Sequence, residues 1–197
     1  MTNEELRFSE IEHKYIVDDS LDMERFAGLL AAQHPLRTFS TRVRDRYYLT
    51  HLGRARRFVI RHRYDTELHH LTVKTIDDDT EVRGEINLDL GQHAGDQHAQ
   101  VDAFVAQLGV EWSGTLDKDL DVWDFPDCEV VHYRASAGAR SVRCVEFEAT
   151  RKATLQEALA TVGKYERATG FDGRQRSRQS LLQILFPEAA ALLAAPP

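Results

Sequence analysis

The sequence predicts an α+β fold, with about eight antiparallel β-strands and amphipathic helices packed on the sheet. Three observations lead there. Glu81–Leu90 (EVRGEINLDL) alternates strictly, with Arg83, Glu85, Asn87 and Asp89 on one parity and Val82, Ile86, Leu88 and Leu90 on the other. Short turn signals separate several such segments, and short turns join antiparallel neighbours. Between the strands lie segments whose apolar residues recur at helical spacing.

In chain order, Phe8–Val17 sets Glu10, Glu12 and Lys14 against Ile11, Tyr15 and Val17. Leu21–Gln33 follows as a helix, with Asp19/Ser20 as N-cap candidates and Leu21, Phe26, Leu29 and Leu30 on one stripe. Val43–Thr50, Arg57–Tyr64 and His69–Ile76 read as strands, with turns at Leu52-Gly53 and Asp77-Asp78-Asp79. Gln97–Leu108 is a second helix, ending before Gly109. A weaker strand falls within Val110–Trp123, and Glu129–Ala135 and Val142–Ala149 form a hairpin about Ser136-Ala137-Gly138. Thr154–Gly163 and Arg178–Leu193 are helical, interrupted by Gly170–Gly173 and by Pro187. With no internal repeat or long linker, residues 1–197 read as one domain: a core at about 7–150, then C-terminal helices over 151–197.

Composition narrows the class. The chain has 197 residues, 42% hydrophobic and 29% charged, with eleven Gly and five Pro, which excludes collagen-like and wholly disordered chains. No apolar run reaches the roughly 20 residues of a membrane helix, and the acidic first twenty positions carry no secretory h-region. A soluble, cytoplasmic protein without a membrane partner is expected. A formal charge of −7 argues against a nucleic-acid partner held by a large basic surface, so any bound anion must meet locally concentrated cations. Cys128 and Cys144, offset by about four residues or roughly 14 Å across the hairpin, should be free thiols. The histidines lack zinc spacing: His69 and His70 face opposite ways, and His93 and His98 have no third ligand.

Which strand face points inward is open at this level. A sandwich or lipocalin-like barrel would turn its charges to water. The alternative is a barrel with a polar lumen and apolar outer faces under the helices. The E-x-E-x-K of Glu10, Glu12 and Lys14 is common by chance in a chain this charged. Its weight comes from company: Arg61-x-Arg63, Lys74 in LTVK, Arg83-x-Glu85 and Glu146-x-Glu148 each fall on a strand.

These residues carry a resemblance. EIEHKYIV at Glu10–Val17, then Arg61 and Arg63, LTVK at Leu71–Lys74, RGE at Arg83–Glu85, Arg134, and VEFE at Val145–Glu148 resemble, in order and spacing, the CYTH superfamily of triphosphate tunnel metalloenzymes. The opening strand is most similar to bacterial inorganic triphosphatases, and SRQSLLQIL near Ser177 is similar to the family's C-terminal helix. The resemblance implies an eight-stranded antiparallel β-barrel with a charged lumen, covered outside by helices, and a triphosphate-containing small molecule as partner. On that reading Lys14, Arg61, Arg63, Lys74, Arg83 and Arg134 bind phosphate oxygens. Glu10, Glu12, Glu85, Glu146 and Glu148 hold Mg²⁺ or Mn²⁺. Glu10, Glu12, Lys14 and Glu85 form the catalytic set.

The implied activity is divalent-metal-dependent hydrolysis of inorganic tripolyphosphate or a related triphosphate by a monomer or homodimer. The alternatives are a class IV adenylate cyclase and a noncatalytic polyphosphate or nucleotide-binding module. Phosphoryl transfer demands positioning and charge stabilisation, so no Ser or Cys nucleophile is required. His132, sharing parity with Arg134, is expected in the lumen. Tyr15, Tyr47 and Tyr133 are expected on the outer parity, with Tyr48 able to reach inside. Two positions depart from the family pattern: Leu49 stands where an Asp is common, and Asn87 where a Glu is common. The place of the R-x-R motif is open between Val59–Arg61 and Arg61–Arg63.

Overall fold

The computed structural model describes residues 8–76, 82–150 and 153–195. Asp77–Asp79 and Glu81, which belong to the expected turn and strand start, lie outside them. Eight strands close into an antiparallel barrel in the order β1-β5-β4-β3-β2-β6-β7-β8. They are β1 (Ser9–Val17), β2 (Arg37–Thr50), β3 (Phe58–Tyr64), β4 (His69–Thr75), β5 (Val82–Asp89), β6 (Val110–Asp124), β7 (Cys128–Ala137) and β8 (Arg140–Ala149). Closure removes the free edges that an open sheet of this size would expose. β2 and β6 are longer than the alternation suggested, because they pair over Arg37↔Asp124 to Thr50↔Val110. Salt bridges such as Arg42–Asp119 and Arg44–Asp117 lace their outer face.

The described helices lie outside the strand wall: α1 (Met23–Ala31), α2 (His51–Arg56), α3 (His98–Ala106), α4 (Leu155–Thr169), α5 (Leu181–Leu185) and α6 (Pro187–Ala194). Asp22, two residues later than expected, caps α1 by accepting from the Arg25 amide. The Leu52-Gly53 turn signal is the short helix α2, capped by Thr50. α4 opens with a capping box between Thr154 and Glu157 and runs on to Gly170, whose φ of 74° supplies the left-handed C-cap. Pro187 starts α6 rather than continuing α5. None of these helices is long and apolar enough to cross a membrane.

Three apolar clusters follow from strand parity, the smallest being Tyr48 and Ile60 under Val101 and Val105 of α3. Outside the wall, Ile11, Tyr15, Val17, Val130, Val145 and Phe147 pack against Phe26 and Leu30 of α1, Val162 and Tyr165 of α4, and Phe171. The Gly170–Gly173 interruption therefore delivers an aromatic into the core, with Phe171 in edge contact with Tyr15 and Phe147. Inside the wall, Tyr47, Leu49, Val59, Leu116, Val131 and Tyr133 meet Leu181, Leu182, Leu185 and Phe186, so α5 and α6 lie across one barrel mouth. Both cysteines are free and buried. They belong to different clusters, Cys128 to the outer and Cys144 to the inner, so the wall itself separates them.

Candidate active site

The charged half of the lumen opens where the apolar half ends. A cavity of about 130 Å³ is lined by Glu10, Glu12, Lys14, Arg61, Arg63, Lys74, Arg83, Lys118, Glu129, Glu146 and Glu148, with Tyr47, Tyr133, Leu181 and Leu182 on its apolar side. Ten of the eleven expected binding and metal-ligand positions therefore converge: nine line this cavity directly, and Glu85 reaches it through Lys74 and Arg61. Val59, Arg61 and Arg63 all face inward, so both triplets offered for the R-x-R motif line the lumen and Arg61 belongs to it either way.

Arg134 is the correction. It is exposed on the outer wall, in a groove shared with Arg42, Asp119, His132 and Arg143. The register explains it: Glu129↔Glu148 and Val131↔Glu146 turn odd β7 positions inward, so His132 and Arg134 point out. His132 faces Asp121 and Arg143 there. The same parity reverses the tyrosines. Tyr47 and Tyr133 line the lumen, whereas Tyr48 lies outside under α3 and donates to Asp102. Tyr15 is outside, as expected.

The cations are tightly partnered. Lys74 bridges Glu85 at 2.6 Å and Glu10 at 3.0 Å. Lys14 bridges Glu146 at 3.0 Å and Glu12 at 3.1 Å, and Glu12 also takes Arg83. Arg61 reaches Glu85 at 3.3 Å, while its buried Nε has no acceptor, leaving a donor without a partner in the lumen. Asn87 donates to Glu85 at 3.0 Å and accepts from Thr72 at 2.7 Å, so this position orients Glu85 instead of adding a carboxylate.

Sequence reasoning missed three members. Asp45, fully buried, accepts two hydrogen bonds from Arg63 at 2.6 and 2.7 Å and pairs with Lys118 at 3.3 Å. Burial pushes its carboxyl up, and the charges of Arg63 and Lys118 override this, holding it far below the usual carboxylate range. Burial lowers Lys118 despite Asp45. Asp45 and Lys118 sit on strands whose charges fall on both parities, so alternation gave no signal for either. Glu129 is the second residue of β7, beside an apolar pair, and only its register brings it to the site.

That register is the decisive geometry. Glu12 lies directly opposite Glu148, and Glu148 directly opposite Glu129, making a row of three carboxylates across β1, β8 and β7. Directly opposed residues have Cβ atoms about 5 Å apart, and like charges there destabilise a sheet. Glu148 and Glu129 have no ion-pair partner among the described residues. Burial, then the neighbouring carboxylates Glu10, Glu129 and Glu12, push Glu148 well above its ordinary value. Burial and Asp124 raise Glu129 as well. Burial raises Glu10 to about 7 even with Lys74 opposing, and Glu12 falls to about 2 because Lys14 and Arg83 outweigh its burial. Among the described residues no group of three or more His, Cys, Asp or Glu already converges as a finished metal cage. The donor set nevertheless fits a hard divalent cation: it is all oxygen, and at Glu148 and Glu129 the described residues supply no countercharge.

No family model matches the chain, and no curated protein matches it. Solved structures do. The PH1012 protein from Pyrococcus horikoshii OT3 superposes with a TM-score of 0.68 at 15% identity, over 89% of this chain and 99% of that one. A candidate adenylate cyclase from Bacillus halodurans gives 0.57 at 16% identity, over 91% and 99%. HpAC1 from Hippeastrum, a candidate adenylyl cyclase with a dominant triphosphatase activity, gives 0.53 at 14% identity, over 91% and 96%. The chain shares their fold.

Proposed function

We propose that this protein is a triphosphate tunnel metalloenzyme of the CYTH superfamily, a divalent-metal-dependent triphosphatase whose substrate is inorganic tripolyphosphate or a similarly compact triphosphate. The observation that carries this reading is the split lumen: the cations Arg61, Arg63 and Lys74 and the carboxylate row Glu12–Glu148–Glu129 line one small cavity, with Arg83 paired to the Glu12 end of the row. A polyanion alone would be repelled by that row, and a cation alone would be repelled by those cations. The pair together, a metal–triphosphate complex, satisfies both.

Within it, Arg61 and Arg83 supply planar guanidinium donors to phosphate oxygens, and the orphaned Nε of Arg61 gains an acceptor. Lys14 and Lys74 are point charges that exchange carboxylate partners for phosphate. Glu10, Glu12, Glu129, Glu146 and Glu148 would hold Mg²⁺ or Mn²⁺. A bound ion there would supply charge neutralisation and a more acidic water. Arg63, saturated by Asp45, acts as a fixed positive charge. Covalent catalysis by cysteine is unsupported: Cys144 alone faces the lumen, and burial with Glu146 nearby pushes its thiol up to about 11. The cavity of about 130 Å³ is small for a whole nucleotide, which favours a bare phosphate chain.

The test is a phosphate-release screen of tripolyphosphate, thiamine triphosphate and ATP, each with Mg²⁺, Mn²⁺ or chelator. Tripolyphosphate should give diphosphate and phosphate fastest, with turnover abolished in chelator. Full turnover in chelator would sink the metal reading. Cyclic AMP and diphosphate as the main products of ATP would make the protein a cyclase, and anion binding without turnover would make it a binding module.

A further inference from the structure

Outside the barrel, behind the metal-side strand, lies a buried polar network that the lumen chemistry does not use. On β1 the inward Glu12 and Lys14 flank His13, which points outward. Its surroundings are those of an apolar core: Ile11 is 0% exposed and Tyr15 2%, with His13 itself at 6%. Both ring nitrogens are engaged. Nε2 lies 2.8 Å from Nη1 of Arg176, and Nδ1 lies 2.6 Å from Oε1 of Glu166. A guanidinium only donates, so Nε2 must be the lone-pair nitrogen and Nδ1 must carry the proton given to Glu166. Tyr15 Oη donates to the same carboxylate oxygen. Burial pushes the Glu166 carboxyl up, and the hydrogen bonds from His13 and Tyr15 outweigh it, holding the group below its ordinary value.

The network joins three remote segments: β1, α4 through Glu166, and the arm at residues 174–180 that leads from α4 to α5. Among the described residues β5 pairs with β1 over Ser9–Ile11, and further along β1 Ser177 forms a bridge, its amide donating to the Lys14 carbonyl at 2.7 Å. Arg176, Ser177 and Arg178 thereby roof a small opening whose floor is Glu12, Lys14 and Arg83 of the lumen. Any tilt of β1 that frees His13 must carry Glu12 and Lys14 with it.

We propose that Glu166 is a positioning residue for the tunnel: through His13 it fixes the strand that aims Glu12 and Lys14, and through His13 and Arg176 it pins the arm over the opening beside Arg83. The inference rests on the triphosphatase reading for its catalytic consequence, but its structural consequence stands apart from it. Glu166→Gln keeps the shape and the oxygen that His13 and Tyr15 share, but it removes the negative charge that strengthens both hydrogen bonds and holds the His13–Arg176 pair. Groups that orient a ligand set from behind typically contribute 10–100-fold to activity or metal affinity.

The experiment compares wild type with Glu166→Gln, Arg176→Gln and the double variant in the full chain. It reads kcat and KM on tripolyphosphate with Mg²⁺, the melting temperature, and amide hydrogen exchange at Ser177. Expected are about a tenfold or larger loss of kcat/KM in Glu166→Gln and faster Ser177 exchange in both single variants. The double variant should be no worse than Glu166→Gln, because both act through one imidazole. A folded Glu166→Gln with kcat/KM within twofold of wild type would overturn the proposal, as would a lowered melting temperature with unchanged kcat/KM. Should Glu166→Gln fail to fold, Arg176→Gln decides, since its side chain is exposed: unchanged Ser177 exchange there refutes the pinning. A wild type that turns over no triphosphate defeats the functional reading alone, and Ser177 exchange still judges the network.

Discussion

The two walls of the lumen are built from the same kinds of residue and behave oppositely. On the wall formed by β2 to β6, charges arrive in complementary pairs: Arg63 and Lys118 with Asp45, Lys74 and Arg61 with Glu85. That wall is electrostatically finished, and its ion pairs hold Asp45, Arg63, Lys74 and Glu85 in their charged forms. On the wall of β1, β8 and β7, the row Glu12–Glu148–Glu129 receives cations only at its Glu12 end. This wall is finished only by something the chain does not provide. The difference teaches that the two sides of one cavity should answer the loss of a carboxylate with opposite changes in stability, and substitution should separate them.

The largest effect is expected at the unfinished wall. Glu148→Gln removes a hard charged ligand with little change of shape and should lower turnover by about 10² or more, comparable to losing one electrostatic transition-state contact. The same variant should melt higher than wild type in chelator, because folding no longer has to force a proton onto a buried carboxyl beside Glu12 and Glu129. A near-native rate would remove Glu148 from the site, and a lower melting temperature without metal would contradict the row's strain.

At the finished wall the sign of the stability change reverses. Asp45→Asn leaves Arg63 and Lys118 buried without their shared anion, and breaking a buried ion pair from one side costs about 3–5 kcal/mol. Chemical denaturation in chelator measures this. A loss under about 1 kcal/mol would show that Asp45 is not the anchor of that wall.

The proton inventory sharpens the contrast. Glu10 titrates at about 7 when folded against an ordinary 4.5, so between these values the folded chain binds more protons than the unfolded one. By linkage its contribution makes stability fall as pH rises across that window. Glu12, lowered to about 2, contributes stability that is present above 4.5 and lost as pH falls through 2. A divalent cation must displace the protons held by the raised carboxylates. Calorimetry of Mn²⁺ binding near pH 6, in buffers of different ionisation enthalpy, should therefore register proton release of order one per site. Binding with no proton release would place the ion away from Glu10 and Glu148.

The smallest effect belongs to Arg134. On the outer wall, its replacement by Ala should leave kcat/KM unchanged and stability within about 0.5 kcal/mol, the usual range for surface positions. A large loss of tripolyphosphate affinity would return it to the lumen.

Much was legible from sequence because period-2 alternation is local. Glu10, Glu12 and Lys14, like Arg83 and Glu85, share a face by spacing alone, and the helical stripes around Phe26 and Val105 show which surfaces need cover. Alternation assigns residues to faces but does not say which face is the lumen, and the resemblance supplied that. Where charges occupied both parities, as in β7, β2 and β6, the choice passed to the register. Glu129 turned inward, Arg134 outward, and Asp45 met Lys118, because pairing across the barrel sets parity in a strand whose own pattern is ambiguous. The carboxylate row, the apolar seal formed by α5 and α6, and the His13–Glu166 contact across 153 residues are likewise products of closure. Local periodicity determines which side chains travel together along a strand, and only the closed barrel determines which strands bring theirs face to face.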